Sequence, residues 1–168
     1  LQGDWSSDLC SSDLLYQRAH KKISDTGLII CGIGPGSFTG IRVALSFAKS
    51  LAHSYKIPII PIESCWAIAL NAPPQYSESI IVALDAQKNM FFVGEYTWKD
   101  SVLQTLDTVR LISMEDIKKH IKKDILLISN IPDFFKKNNL TISPLTPHPS
   151  ASDRKSTRLN SSNLVISY

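Results

Sequence analysis

A chain of 168 residues has room for one domain or one and a fraction, and its 43% hydrophobic content is ordinary for a globular protein with a sizeable core. The formal net charge of +3 is too small to argue for a nucleic-acid surface unaided, and Cys10, Cys31 and Cys65, odd in number and without Cys-x-x-Cys spacing, indicate neither a disulfide framework nor a zinc site. No run approaches the roughly 18 apolar residues of a membrane span and no basic-then-apolar leader opens the chain, so no membrane contact and a cytoplasmic location are expected.

Residues 6–14 repeat Ser-Ser-Asp-Leu on either side of Cys10, no Met opens the chain, and the tail from Asp153 to Tyr168 has the same polar, low-complexity look. Both ends resemble in-frame translations of sequencing-adapter DNA, and the alternative is a native pair of disordered, Ser-rich tails. Residues 1–14 and 151–168 are therefore read as non-native tails and left out of the predicted fold. Leu15 to Lys22 then reads as the remnant of a first helix and Ser24 to Gly27 as a shortened connection.

Leu28 to Ile33 is a continuous apolar run, as in a strand covered on both faces. It feeds the segment Gly34-Pro-Gly-Ser-Phe-Thr-Gly-Ile-Arg42, in which three glycines permit positive φ and close backbone approach, Pro35 fixes one φ, and Ser37 or Thr39 can cap a following helix. Such a turn aims free N–H groups at one point. It holds an anion or packs tightly against a neighbour, and Gly34, Gly36, Ser37, Thr39 and Gly40 are the candidate cofactor contacts. A dinucleotide fingerprint fails because Ser37 stands where a third glycine is needed, and a P-loop fails because no Gly-Lys-Ser/Thr closes the turn.

The predicted helix Ile41–Ser54 has apolar residues at three- and four-residue steps, with Ala44, Ala48 and Ala52 forming a small-residue row that admits a close helix neighbour, in this chain or in a partner. Arg42 in its first turn opposes the macrodipole, which a carboxylate or phosphate across an interface would relieve. A short strand Ile57–Ile62 follows, parallel to the first, and Ser64 is read as the cap of a helix running to Asn71. Ala72-Pro-Pro-Gln-Tyr-Ser breaks the pattern and marks a boundary between a first lobe (15–72) and part of a second (79–150).

In the second lobe, Ile80–Leu84 and Met90–Tyr96 flank Asp85-Ala-Gln-Lys-Asn89 as an antiparallel hairpin. Ser113-Met-Glu-Asp116 opens a helix to about Lys123, carrying Lys118, Lys119, Lys122 and Lys123 as a solvated face or an RNA phosphate contact. An apolar strand Ile125–Ser129 follows, then a turn or two of helix from Pro132 to Asn138, and three prolines between Pro144 and Ser150 mark fraying structure.

Catalytic residues are not found. His20, His53, His120 and His148 include no pair at helical i, i+4 spacing for a metal, and no Gly-x-Ser-x-Gly nucleophile elbow exists. Asp85 and Glu95 can be posed as an acid–base pair, against the reading that an Asp at a hairpin turn bonds its own backbone.

The segment Gly34–Arg42, with Ala44, Ala48-Lys49 and Leu51-Ala52, resembles the signature of the TsaB (YeaZ) family, of the Gcp-like group within the actin/Hsp70/sugar-kinase superfamily. The likeness continues through Ile57-Pro-Ile-Ile60, Ser64 and Ala67, and returns at Val82-Ala-Leu-Asp-Ala86 and Val93-Gly-Glu-Tyr96. The resemblance implies an α/β, RNase H-like domain, incomplete here because the family's opening strands lack a counterpart in this chain. It implies a scaffold role without catalysis of its own: partner of a TsaD-like subunit that threonylcarbamoylates adenosine 37 of tRNA, with a TsaE-like ATPase as further partner and a homodimer as another use of the same surface. ATP and a metal are then expected on the TsaD-like partner and no cofactor on this chain. The implied interface is Ile41, Arg42, Ala44, Leu45, Ala48, Lys49, Leu51 and Ala52. The alternatives are an ATP-dependent enzyme of the same superfamily, with the Gly34–Gly40 turn on a phosphate, or a Gcp-like peptidase.

Overall fold

The computed structural model of the chain describes residues 16–74, 79–121, 125–138 and 140–142, and the backbone of 163–166. Strand β1 (Leu28–Gly32) is the middle of a three-stranded parallel sheet. On one side it pairs with β2 (Ile59–Ile62), from Ile29↔Ile59 to Gly32↔Ile62. On the other side lies β7 (Asn163–Ile166), from Leu28↔Asn163 to Cys31↔Ile166, so part of the tail left out of the predicted fold contributes backbone to this sheet. A central strand has no solvated face, which is why Ile29, Ile30 and Cys31 are all buried.

Helix α1 (Phe38–Tyr55) is the crossover between β1 and β2. It starts three residues before the predicted Ile41 because Ser37 is the cap, its Oγ accepting the Gly40 N–H at 3.3 Å. It ends at Lys56 in the left-handed region (φ 57°), and the Ile57 N–H returns to the Ala52 carbonyl. Ala44 and Ala48 sit over Ile29 and Cys31, and their small side chains let the helix lie close on its strand. Among the described residues before β1, residues 16–18 are helical and a 3-10 turn spans Ile23–Asp25.

Helix α2 (Ser64–Ala69) is shorter than predicted, and Ser64 is its first helical residue rather than its cap; Glu63 holds the cap position without a side-chain bond. The Ser64 N–H donates instead to the Gly34 carbonyl at 2.7 Å. Although α2 precedes Ala72 in sequence, its Cys65, Ile68 and Ala69 pack with Ile80, Val82, Tyr96 and Ile128 of the second sheet.

That sheet is four-stranded. The predicted hairpin is present: β3 (Ser79–Asp85) and β4 (Met90–Lys99) pair antiparallel from Ile80↔Tyr96 to Asp85↔Phe91. Strand β5 (Val102–Ser113), which the sequence reading did not include, returns along β4 after Asp100 and Ser101, both at positive φ (51° and 61°). Strand β6 (Ile125–Ser129) runs parallel to β3. Helix α3 (Met114–His120) starts at the predicted cap, where Ser113 Oγ accepts the Asp116 N–H at 3.3 Å, and α4 (Pro132–Lys137) follows β6. Both cover the face opposite α2, around Phe91, whose ring is 5.2 Å from that of Phe135 and 5.6 Å from that of Phe134. Lys122, Lys123 and Pro144–Ser150 lie outside the described residues.

Candidate functional site

The glycine turn lies at the carboxyl end of β1. Gly34 has φ 97°, and a Cβ there would stand 2.8 Å from Ile41 Cδ1, so both backbone and space require glycine. The Gly34–Pro35 bond is cis. Pro35, Gly36, Ser37 and Phe38 form one wall of an open cleft of about 490 Å³, and Leu84–Gln87, Phe92 and Asn130 form the other. Of the five predicted contacts, Gly36 and Ser37 line this cleft, Gly34 is buried behind it, and Thr39 and Gly40 belong to the first turn of α1. Sequence reasoning missed the ring of Phe38, 72% exposed, together with Leu84, Phe92 and Asn130. Phe38 stands inside the motif and was legible as an apolar residue where a cap-and-turn needs none. The others come from strand ends 50 to 90 residues away.

Asp85 serves its own turn. Its Oδ1 accepts the Gln87 N–H at 2.9 Å, and its N–H donates to Asn130 Oδ1 at 3.0 Å. These bonds hold a turn in which Gln87, Lys88 and Asn89 are all left-handed, with φ of 68°, 53° and 59°. Glu95 pairs with Ile81, four residues up β3 from Asp85 and so about 13 Å along the strand, and its Oε1 accepts the Ser79 hydroxyl at 2.6 Å. The posed acid–base pair is thereby corrected: the two carboxylates have separate partners at opposite ends of a hairpin.

Among the described residues Arg42 pairs with no carboxylate; its guanidinium lies 5.2 Å from the centroid of the Phe38 ring. The alanine row is corrected as well. Ala48 is 0% exposed and Ala44 nearly so, against β1 of their own chain, with Leu45, Leu51 and Ala52 packed beside them. Ile41 is half-buried behind the turn, and of the eight predicted interface residues Arg42 and Lys49 face solvent, together with Phe38, Val43, Ser46 and Ser50. On α3, Lys119 is held by Asp116 at 2.9 Å and Lys118 donates to Asn138 Oδ1 at 3.1 Å.

Both described cysteines, Cys31 and Cys65, are buried. Burial, and then the charge of Glu63, pushes the Cys65 thiol up to about 12, and burial alone raises Cys31, so neither is a nucleophile at neutral pH. Tyr96 lies beside this thiol. Its ring folds back over Gly94, its hydroxyl has no hydrogen-bond partner among the described residues, and burial with the fields of Cys65 and Glu63 raises its pKa. Among the described residues no three His, Cys, Asp or Glu side chains converge as metal ligands, and no helix is long and apolar enough to cross a membrane.

Residues 12–146 match the family model described as TsaD, tRNA N6-adenosine threonylcarbamoyltransferase. The tRNA threonylcarbamoyladenosine biosynthesis protein TsaB of Buchnera aphidicola (subsp. Schizaphis graminum) is 31% identical over 122 residues, 70% of this chain and 58% of that protein. The Bacillus subtilis TsaB is 29% identical over 99 residues, 59% of this chain and 43% of the relative. The chain thus spans about half the length of the curated relatives it matches. The solved structure of YeaZ from Pseudomonas aeruginosa superposes with a TM-score of 0.73 at 21% identity, over 88% of this chain and 72% of that one, which shows a shared fold. With its two sheets, its crossover helix and its signature turn accounted for, the chain belongs to the family of the tRNA N6-adenosine threonylcarbamoyltransferase TsaD, in its TsaB/YeaZ branch, and has an α/β RNase H-like fold.

Proposed function

We propose that this chain is an accessory, non-catalytic subunit that partners a TsaD-like protein in the threonylcarbamoylation of adenosine 37 of tRNA, in the cytoplasm. The observation that carries the reading is the division of labour on α1. Its inner face is spent on β1, while its outer face presents Phe38, Arg42, Val43 and Lys49 with no carboxylate anywhere in the helix. An exposed aromatic beside an arginine is the kind of anchor that protein interfaces use. The names of the relatives supply the pathway. The side chains at the cleft support a scaffold rather than a catalyst, because Asp85 and Asn130 are bonded to the turn they shape. In this reading ATP and a metal reside on the TsaD-like partner, a TsaE-like ATPase joins the assembly, and a second copy of this chain competes for the same helix.

The test is sedimentation of the chain with a TsaD-like subunit, wild type against Phe38→Ala and Val43→Asp. Both positions are exposed, so the variants should keep the wild-type melt. Phe38→Ala should weaken the complex at least tenfold, since truncating an aromatic hot spot costs about 2 kcal/mol or more. An unchanged affinity in both variants would remove α1 from the interface.

A further inference from the structure

Three cations of the second lobe have a carboxylate three residues away: Arg110 pairs with Asp107 at 2.7 Å, Lys119 with Asp116 at 2.9 Å and Lys136 with Asp133 at 3.9 Å. In the first lobe, Arg18, Lys21, Lys22 and Lys56 are all exposed, and no ion pair engages them among the described residues. Backbone bonds gather these four at one end of the sheet, where β1 and β2 begin and α1 stops. The Ile29 N–H donates to the Pro58 carbonyl at 2.9 Å, which sets the residues after Lys56 beside the start of β1. The Tyr16 and Thr26 hydroxyls are 2.7 Å apart, the Lys21 N–H donates to the Tyr16 carbonyl at 3.0 Å, and the Lys22 N–H to Asp25 Oδ2 at 2.9 Å. These bonds fold residues 16–25 back onto Thr26, two residues ahead of β1.

Among the described residues, Arg18, Lys21, Lys22 and Lys56 meet one carboxylate there, Asp25, for a local net charge of +3. Lys56 caps the negative end of the α1 dipole, a place where a cation is held at little cost. Next to it Tyr55 leaves its side chain 48% exposed, a ring available for stacking.

We propose that this end of the first lobe contacts RNA backbone phosphates, with an unpaired base on Tyr55. Unmatched lysines around an exposed ring are the pairing that single-stranded or looped RNA requires: charge for the backbone and a flat face for the base. The five residues of β1 separate this end from the glycine turn by about 16 Å, which leaves the cleft free. That the RNA is a tRNA rests on the proposed function; the contact chemistry does not.

The test is fluorescence anisotropy of the 168-residue chain with a labelled tRNA lacking the modification at adenosine 37, from 50 to 200 mM salt, for wild type, K21Q/K22Q/K56Q, Tyr55→Ala and, as control, K118Q/K119Q. The triple variant should lower the slope of log affinity against log salt by about 2 and cost roughly 100-fold at 0.1 M salt, while the control stays within about twofold. Tyr55→Ala should lose at least about fivefold on the tRNA and nothing on a fully paired RNA. The same melting curve for all four chains shows that folding is not what changes. Wild-type binding without salt dependence, a triple variant that binds like wild type, or equal competition by polyglutamate of matched charge would overturn the proposal, the last by making this an acidic-protein surface. Sedimentation with the TsaD-like subunit separates the two readings. A triple variant that loses both RNA and the subunit makes this end a protein interface and overturns the RNA contact. A wild-type chain that binds RNA through these lysines and ignores the subunit sinks only the accessory role.

Discussion

Replacing Tyr96 by Phe takes one oxygen out of the core of the second sheet, and the chain is expected to become more stable. The side chain is 0% exposed and its hydroxyl has no hydrogen-bond partner among the described residues. In the unfolded chain the same hydroxyl is hydrated, so folding strips it without replacement, at a cost of about 1–3 kcal/mol. Phenylalanine keeps the ring among Cys65, Ile68, Val82 and Ile128 and over Gly94, so the packing survives and the desolvation cost goes. The net gain should be about 1–2 kcal/mol, a rise in Tm of roughly 3–6 °C for a chain of this size. Urea and thermal melts followed by circular dichroism read it, with Tyr96→Ala as the contrasting variant that loses the ring and about 3–5 kcal/mol. A Tyr96→Phe chain that melts more than 2 °C below wild type would refute the reasoning, because the hydroxyl must then be bonded in solution.

Three further outcomes are expected. Ala48→Arg puts a charge where the side chain is 0% exposed against β1, so the cooperative melt should disappear; a folded variant that merely loses its partner would return the alanine row to the interface. Gly34→Ala should cost about 1–3 kcal/mol in a urea titration, from positive φ and the collision with Ile41 Cδ1, and Ile41→Val in the same chain should recover only the steric part. Stability should fall as pH rises above about 9, because the unfolded Cys65 thiol ionises near its ordinary 9.0 while the folded one is held near 12; folding then retains a proton the unfolded chain has lost, at about 1.4 kcal/mol per pH unit, and Cys65→Ala should flatten that limb of the curve.

Much of the fold follows from patterns of short range. β1 announces itself as an unbroken apolar run, α1 as a three-and-four periodicity behind Ser37, and the β3–β4 hairpin as two apolar runs around Asp85–Asn89. The start of α3 was readable for the same reason, a capping serine three residues ahead of an acid. β5 escaped because its turn is Asp100-Ser101 and contains no glycine or proline, although both residues adopt the left-handed conformation those residues usually mark. The alanine row shows the limit of periodicity, which finds a stripe of small residues but not what lies against it; β1 took the place reserved for a partner. The cleft was half legible. Its glycine wall is a contiguous motif, whereas Leu84, Phe92 and Asn130 reach it only through the pairing of β3 with β4 and β6.

The 2.7 Å bond from the Ser64 amide to the Gly34 carbonyl fastens a turn of the first sheet to a helix embedded in the second. Gly34 sits at the root of α1, and α2 carries Cys65, Ile68 and Ala69 into the core against β3 and β4. The two sheets are thus joined by a backbone bond at the root of α1 as well as by the packing of α2. The exchange rate of the single Ser64 amide therefore reports how firmly the turn of the first sheet is held to the core of the second.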